Sequence, residues 1–173
     1  MNARVQLAVE TGSALIVCSG ARDLYERAMI FTDFGIVTTT AASGPALTRT
    51  MLTEMTQGKP DVVIFELGDG ILGAYGVEAI LSAPDIASSL TAVILSANDP
   101  VAAWGGVRLL RERFGIEPCV VTGPATDNAV GVEIIEQQMN VPGFNALSSG
   151  AALGDRVIDA LGLSTKAARA LAG

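Results

Sequence analysis

The chain has no histidine and few charged residues. Of its 173 residues, 17% are charged, two are cysteine and none is histidine. Without histidine neither a Ser-His-Asp nor a Cys-His arrangement can form, so nucleophilic catalysis would need an unusual lysine or carboxylate base. Two cysteines without histidine also nearly exclude a zinc site. We expect Cys18 and Cys119 to be buried, reduced thiols of a cytoplasmic protein.

Positive charge and long apolar runs are also scarce. The net charge is −7, and the two lysines, Lys59 and Lys166, lie outside any basic cluster. Because affinity for a phosphate backbone depends on several neighbouring cations, a nucleic-acid partner is disfavoured. No apolar run approaches the roughly 18 residues that span a bilayer, and no signal sequence opens the chain. We therefore expect a soluble protein without a membrane partner.

Short apolar runs alternate with amphipathic segments along the chain. The runs are rich in valine and isoleucine and cover 13–18, 35–40, 61–67, 91–97, 118–123 and 141–147. Such runs are typical of strands buried on both faces, and their alternation with helices predicts right-handed crossovers. The sequence therefore predicts a single α/β domain over residues 1–173, a three-layer Rossmann-like domain with a mainly parallel sheet of five or six strands.

Two of the amphipathic segments have clear ends. The first, GPALTRTMLTEMTQG (44–58), ends at a glycine and places on one helical face Leu47, Met51, Leu52 and Met55. The second, DPVAAWGGVRLLRERFG (99–115), ends in the same way and places on one face Val101, Trp104, Val107, Leu110 and Phe114. A glycine just past the last helical residue is a common cap. The tail from Ser148 onward predicts two further helices.

Four of the predicted strands end in small or polar residues. These ends are TTTAASGP (38–45), ELGDGILG (66–73), SANDP (96–100) and VTGPATDN (121–128). In parallel sheets ligands bind in the crevice beyond the carboxyl ends of the strands. The four loops therefore form the candidate site for a small-molecule ligand.

Glu66 and Asp69 are the candidate catalytic residues. A hydrophobic strand that ends in an acid, as Val62 to Glu66 does, is the general form of an element that orients magnesium or water beside a nucleotide phosphate, so Glu66 is the predicted metal ligand. Asp69 is flanked by glycines whose backbone a ligand can approach closely, namely Gly68, Gly70 and Gly73. The structural alternative is that Glu66 caps a helix or pairs with an arginine, while Asp69 makes an Asx-turn.

The other loops offer polar groups at predicted helix starts. The candidate ligand-binding residues of the first loop are Thr38, Thr39, Thr40, Ser43 and Gly44. Hydroxyls and unpaired amides at the positive end of a helix could hold an anion. The favoured alternative is that Ser43 is only a helix cap and that the threonines are β-branched strand residues. Asn98, Asp99 and Asp127 are further candidate contacts, with helix capping as the alternative.

Two glycine patterns bear on nucleotide binding. TQGKPD around Lys59 lacks the first glycine of a phosphate loop and has Pro60 where that loop needs a hydroxyl. GDGILG (68–73) does satisfy the spacing of a dinucleotide fingerprint, so an NAD(P)-binding domain is an alternative. Against it, Asp69 would place a negative charge beside the pyrophosphate, and no acid ends the next strand.

Several segments also carry a family resemblance. They are DFGIVTTT (33–40), PDVVIFELGDGILG (60–73), TAVILSANDP (91–100), GIEPCVVTGPATDN (115–128) and MNVPGFNAL (139–147). Together they resemble the distal part of a P-loop NTPase of the group that includes dethiobiotin synthetase and related ATP-dependent synthetases and kinases. The resemblance implies that ATP and magnesium are ligands, that Glu66 and Asp69 face the γ-phosphate and second substrate, and that residues 38–40 lie near magnesium.

The defining loop of that group, with its lysine, is absent. The resemblance therefore implies either the carboxyl-terminal portion of a longer enzyme or a stand-alone descendant that binds something else. Three hypotheses follow: a nucleotide-dependent synthetase or kinase acting on a small metabolite, a non-catalytic small-molecule-binding or assembly module, and the NAD(P)-binding domain. The low charge also suggests that a homo-oligomeric partner or a missing amino-terminal domain covers some apolar surface.

Overall fold

The computed structural model describes residues 16–18, 42–57, 62–65, 67, 70–73 and 76–162. The chain divides into two compact units. The first comprises Met1–Ala87 with Arg169–Gly173, and the second comprises Ser88–Ala168. Both units mix helices and strands, so the predicted α/β class is confirmed.

The first unit contains a pair of short strands and three helices in its described part. Its elements are β1 (Ile16–Cys18), α1 (Gly44–Gln57), β2 (Val62–Ile64), α2 (Val77–Leu81) and α3 (Pro84–Ala87). The predicted helix over 44–58 is confirmed as α1. Met51 and Leu52 of α1 pack against the same hydrophobic cluster as Val63 and Phe65, which agrees with their place on the predicted apolar face.

The two strands of the first unit run antiparallel, with Ile16 opposite Ile64 and Cys18 opposite Val62. This differs from the parallel arrangement that the sequence predicts. An apolar run indicates that a strand is buried, but its direction relative to a neighbour depends on the path of the chain between them. The direction of this pair was therefore not encoded in the runs themselves.

An ion pair joins two helices of the first unit. Arg49 of α1 donates from Nε to Asp85 Oδ2 at 2.6 Å and from Nη2 to Asp85 Oδ1 at 2.7 Å. The hydrogen bond from Arg49 lowers the pKa of Asp85 to about 2. Because both side chains are about half exposed, solvent screens the pair and its effect on stability is small.

We expect an NMR titration of the Asp85 carboxyl carbon to have its midpoint near 2. Because the pKa is lowered in the folded chain, the pair stabilises the fold above the ordinary carboxyl pKa, and this contribution is lost as the pH falls from about 4 towards 2. Arg49→Gln should return the midpoint most of the way to its ordinary range, because the hydrogen bonds from the backbone amides of Asp85 and Ile86 remain and still lower it. Arg49→Lys should return it only partway, because it keeps the charge but loses the two-bond geometry. An unchanged midpoint in Arg49→Gln would contradict this assignment.

The second unit contains a small parallel sheet. Its elements are β3 (Ile94–Ser96), α4 (Pro100–Phe114), β4 (Val120–Thr122), a 3₁₀ turn (Pro124–Thr126), α5 (Ala129–Met139) and α6 (Gly150–Ala160). The strands β3 and β4 are parallel, with Ser96 opposite Thr122. The predicted strands over 91–97 and 118–123 are thus confirmed in their central residues.

The predicted strand over 141–147 is reduced to a parallel bridge between Val121 and Gly143. Val121 donates to Pro142 O at 2.9 Å, and Phe144 donates to Val121 O at 3.0 Å. A proline and a glycine in succession weaken a strand, because one lacks an N–H and the other lacks a side chain to pack. In the described part of the second unit the sheet has two strands and this bridge. The mainly parallel sheet of five or six strands that the sequence predicts for the whole chain is not shown among the described residues.

Helices α4, α5 and α6 pack against this sheet. One core cluster joins the sheet to α4 and α5 and contains Leu95, Ala97, Ala103, Val107, Val121, Ala125, Ile135, Met139 and Val141. Since side chains alternate along a strand, Val120 and Thr122 lie on the face opposite to Val121. The helix α6 contacts β4 and buries Leu153, which is outside that cluster. We infer that α6 covers the face of Val120 and Thr122.

The helix α4 begins and ends where the sequence predicts. Asp99 Oδ1 accepts a hydrogen bond from Ala102 N at 2.8 Å, and Gly115 caps the other end with φ 65°. The predicted apolar face is wrong in part, because Val101 is 76% exposed and Trp104 is 46% exposed.

Small residues explain this difference in α4. Ala103 is fully buried, and a Cβ on Gly106 would lie 2.9 Å from Leu95 Cδ2. The helix therefore approaches β3 through alanine and glycine, with Val107 and Leu110 continuing the same face. A pattern of large apolar residues does not show such a close approach.

In the part of the chain that the structure describes, none of the helices combines the length and apolar character needed to cross a membrane.

Candidate functional site

Polar loops follow the parallel strands of the second unit. We call the residues 96–99, 122–128 and 144–149 the carboxyl edge. Its first two loops are joined by backbone hydrogen bonds, from Ala97 N to Thr122 O at 3.0 Å and from Ala125 N to Ala97 O at 2.9 Å. Two of the four predicted loops, SANDP and VTGPATDN, therefore do meet at one edge of a sheet, as the parallel arrangement requires.

Gly123 lets these two loops meet. Its backbone has φ 87° and ψ −170°, a region that is essentially restricted to glycine. A Cβ at this position would lie 2.7 Å from Ser96 Oγ and 2.8 Å from Ala97 O. The loop after β4 can therefore lie against the end of β3 only with glycine here.

A hydrogen bond connects Asp127 to the third loop. Asn145 donates from Nδ2 to Asp127 Oδ1 at 2.8 Å, while its own Oδ1 accepts from Leu147 N at 2.9 Å and Ser148 N at 3.0 Å. The predicted site residue Asp127 thus lies at the carboxyl edge. Asn145 was missed at the sequence level, although a polar residue after the third predicted strand was the signal that could have found it.

The remaining predicted residues of these loops lie at helix starts. Asp99 caps α4, as its capping alternative predicts, and Asn98 is exposed beside it. Asn128 caps α5, because its Oδ1 accepts from Gly131 N at 2.9 Å. A capping carboxylate retains oxygen lone pairs for a further contact. Capping and ligand contact are therefore compatible at Asp99.

Thr122, which the sequence did not single out, is the unusual residue of the carboxyl edge. Its exposed fraction is 6%, and its Oγ1 is a buried side-chain atom without a hydrogen-bond partner among the residues that the structure describes. The neighbouring Thr126 is similarly buried, but its Oγ1 donates to Gly123 O at 2.7 Å. A buried polar group left unsatisfied costs about 1–3 kcal/mol. Threonine is a common strand residue, so its type alone gave no warning.

The predicted residues of the first unit have structural roles where they are described. Gly44 is buried, and a Cβ there would lie 3.1 Å from Ile80 Cγ1, so it permits packing of α1 on α2. Ser43 precedes α1, and its carbonyl accepts from Leu47 N at 3.0 Å. Gly70 has φ 72° and accepts from Gly73 N at 3.2 Å, closing a turn.

This turn bears on the dinucleotide alternative. The fingerprint needs its glycines to open a helix, but α2 begins at Val77, four residues after Gly73. The other predicted residues lie outside the described residues, namely Thr38, Thr39, Thr40, Glu66, Gly68 and Asp69. Their assignment as magnesium and phosphate contacts stays a prediction.

Metal and thiol chemistry find little support in the described ranges. Among those residues no group of three or more histidine, cysteine, aspartate or glutamate side chains could hold a metal ion. Cys119 is buried beside β4, and burial raises the pKa of its thiol. A raised pKa is the mark of an unreactive cysteine and not of a nucleophile.

No protein-family model, no curated protein and no solved structure matches this chain. The function must therefore be inferred from the chemistry of the residues that the carboxyl edge brings together.

Proposed function

We propose that the chain is an α/β domain that binds a small polar metabolite at the carboxyl edge of its parallel strands. In this proposal β3 and β4 belong to a larger Rossmann-like sheet, as the alternation of strands and helices predicts. The observation that carries the proposal is the Thr122 hydroxyl, which is buried at the end of β4 and has no hydrogen-bond partner among the described residues.

In the described part of the chain, the Thr122 hydroxyl lacks the hydrogen bond that a buried polar atom normally makes. The large majority of buried side-chain polar atoms in folded proteins have a partner, so an unpaired one needs a reason. A hydroxyl can donate one hydrogen bond and accept others, and a polar ligand at this edge would supply what the protein does not. The hydroxyl of Thr126, four residues away, does have a partner, the carbonyl of Gly123. The same loop therefore can satisfy a buried hydroxyl, which supports the interpretation that the Thr122 hydroxyl is left for a ligand.

The resemblance supports a more specific version of the proposal. In that version the metabolite is a substrate of a nucleotide-dependent synthetase or kinase, with ATP and magnesium organised by Glu66 and Asp69 and the phosphate loop supplied elsewhere. A binding or assembly module would use the same edge without a metal. An NAD(P)-binding domain would use the turn at Gly70 and Gly73 instead. The same titration separates the three.

The test is isothermal titration of the full chain with ATP, with and without magnesium, and with NAD and NADP. Magnesium-dependent ATP binding that is lost in Glu66→Gln would support the synthetase or kinase, and dinucleotide binding would support the third alternative. If none of these binds, a panel of uncharged, anionic and cationic metabolites is screened by thermal shift. Any ligand of the carboxyl edge should lose about tenfold or more in affinity in Thr122→Val, the effect of one buried hydrogen bond.

Thr122→Val should also change stability, in the opposite direction to binding. Valine has the same shape but no hydroxyl to leave unsatisfied, so the free energy of unfolding of the free chain should rise by about 1–2 kcal/mol in urea denaturation. Thr126→Val should lower it by about 1 kcal/mol, because it removes a hydrogen bond. Thr91→Val, at an exposed position ahead of β3, is the neutral control. A stability loss in Thr122→Val without any effect on binding would overturn the proposal.

A further inference from the structure

The helix α6 starts at the carboxyl edge without a side-chain cap. Ser149 stands at the cap position but makes no capping hydrogen bond, whereas α4 and α5 are capped by Asp99 and Asn128. The first backbone bond of the helix runs from Leu153 N to Ser149 O at 3.0 Å. Among the described residues no side chain caps the amides of residues 150–152, and all three residues are exposed.

The connections of α6 place its first turn at the same end of the sheet as Thr122. Asn145 bonds Asp127 through its side chain, and its carbonyl accepts from Ser149 N at 2.8 Å, so the helix begins at the carboxyl edge. Arg156, farther along the helix, donates from Nε to Cys119 O at 3.0 Å, just before β4. The helix therefore runs antiparallel to β4 over the strand face that carries Thr122. The Thr122 hydroxyl, which has no partner among the described residues, and the first turn of α6 therefore lie at the same end of the sheet.

These groups form a set of donors for an anion. A helix N-terminus carries the equivalent of about half a positive charge, and its amides together with a hydroxyl are a common oxyanion site. A Cβ on Gly150 would meet nothing within 4 Å, so the backbone is open to approach. The carboxyl edge contains no lysine or arginine, so these dipoles are its means of holding negative charge.

We infer that the first turn of α6 and the Thr122 hydroxyl bind the anionic oxygen group, a phosphate or a carboxylate, of the small metabolite. This inference rests on the proposed function, since it names the charged group of the same ligand. Thr122 completes this set of donors, because its O–H donates to an anion oxygen. The ligand thereby satisfies the hydroxyl that has no partner in the free chain among the described residues.

A substitution at Asp127 tests the sign of the ligand's charge. Its carboxylate is linked to the start of α6 through Asn145, whose Oδ1 accepts from the amides of residues 147 and 148. A negative charge here opposes an anionic ligand and favours a cationic one. Asp127→Asn should therefore tighten anion binding about three- to tenfold, and would weaken the binding of a cation or metal instead.

The experiment is titration of the full chain with inorganic phosphate and, separately, with succinate, followed by calorimetry and NMR. Ala151→Asp places a carboxylate in the first turn of α6, where it suits the helix but occupies the anion position, and should weaken binding at least about tenfold. Ala151→Asn, the uncharged match, should stay within about threefold of the natural chain. Thr122→Val should weaken binding and Asp127→Asn should strengthen it. The two probes distinguish a phosphate from a carboxylate ligand.

Results that contradict the anion inference can be told apart from results that contradict the proposed function. If neither anion binds but an uncharged or cationic metabolite binds through Thr122, the anion inference is wrong and the proposed function stands. Weaker binding in Asp127→Asn, or anion binding that Ala151→Asp and Thr122→Val leave unchanged, also overturns the inference. If nothing tested binds through Thr122, both fail. Circular dichroism checks that each variant folds.

Discussion

Gly123→Ala is expected to destabilise the second unit by about 3 kcal/mol or more, because two costs add. The first is conformational, since φ 87° with ψ −170° is a region that residues with a side chain almost never occupy. The second is steric, because the new Cβ would lie 2.8 Å from Ala97 O, a backbone atom that is fixed by its bond to Ala125 N. Neither cost can be relieved by a side-chain rotation at Ala97.

The matched control for Gly123 is Gly115→Ala. Gly115 also has a positive φ, of 65°, but a Cβ there would have nothing within 4 Å. This control should therefore show only the conformational cost, about 1–2 kcal/mol. The measurement is urea denaturation of both variants followed by circular dichroism. Equal losses in the two variants would show that the loop after β4 can move away from β3 and that the close approach is not required.

Gly131→Ala is expected to destabilise the chain by about 2–4 kcal/mol, although the residue lies in a helix. Alanine is normally favoured over glycine in helices by about 1 kcal/mol. At this position a Cβ would lie 2.2 Å from Ala125 O, so α5 would have to move away from the 3₁₀ turn. Gly131 N also donates to Asn128 Oδ1, and the shift would break this cap.

The control for Gly131→Ala should have the opposite effect on stability. Gly105 lies in α4, and a Cβ there would meet nothing within 4 Å. Gly105→Ala should therefore stabilise the chain by about 0.5–1 kcal/mol through helix propensity alone. A thermal or urea denaturation of the two variants side by side makes the comparison. If Gly131→Ala were also stabilising, the contact between α5 and the turn before it would be looser than the structure has it.

The sequence predicted the local features of the second unit well. The ends of α4 follow from Asp99, Pro100 and Gly115, whose effects act within one helical turn. The parallel pair of β3 and β4 follows from two apolar runs separated by a helix. These signals are contained in short stretches of chain, so one sequence is sufficient to interpret them.

The features that the sequence did not predict depend on contacts distant along the chain. The antiparallel direction of β1 and β2 depends on the path between them. The exposure of Val101 and Trp104 depends on the approach of Gly106 to Leu95.

At the candidate site, Asp99 and Asp127 were found because polar residues after a strand are conspicuous. Thr122 and Asn145 were not, because a threonine in a strand and an asparagine in a loop become informative only when their partners are known.

The exposure of Trp104 has an optical consequence. It is the only tryptophan of the chain, it lies one turn into α4 from the carboxyl edge, and its ring centroid is 5.0 Å from the guanidinium carbon of Arg108. Because Trp104 is 46% exposed in the folded chain, its emission should already lie towards long wavelengths and should be quenched by small solutes such as acrylamide. If a ligand binds at the carboxyl edge as proposed, the fluorescence intensity of Trp104 and its quenching should change, with little shift in emission wavelength. No attached label would be needed for this measurement.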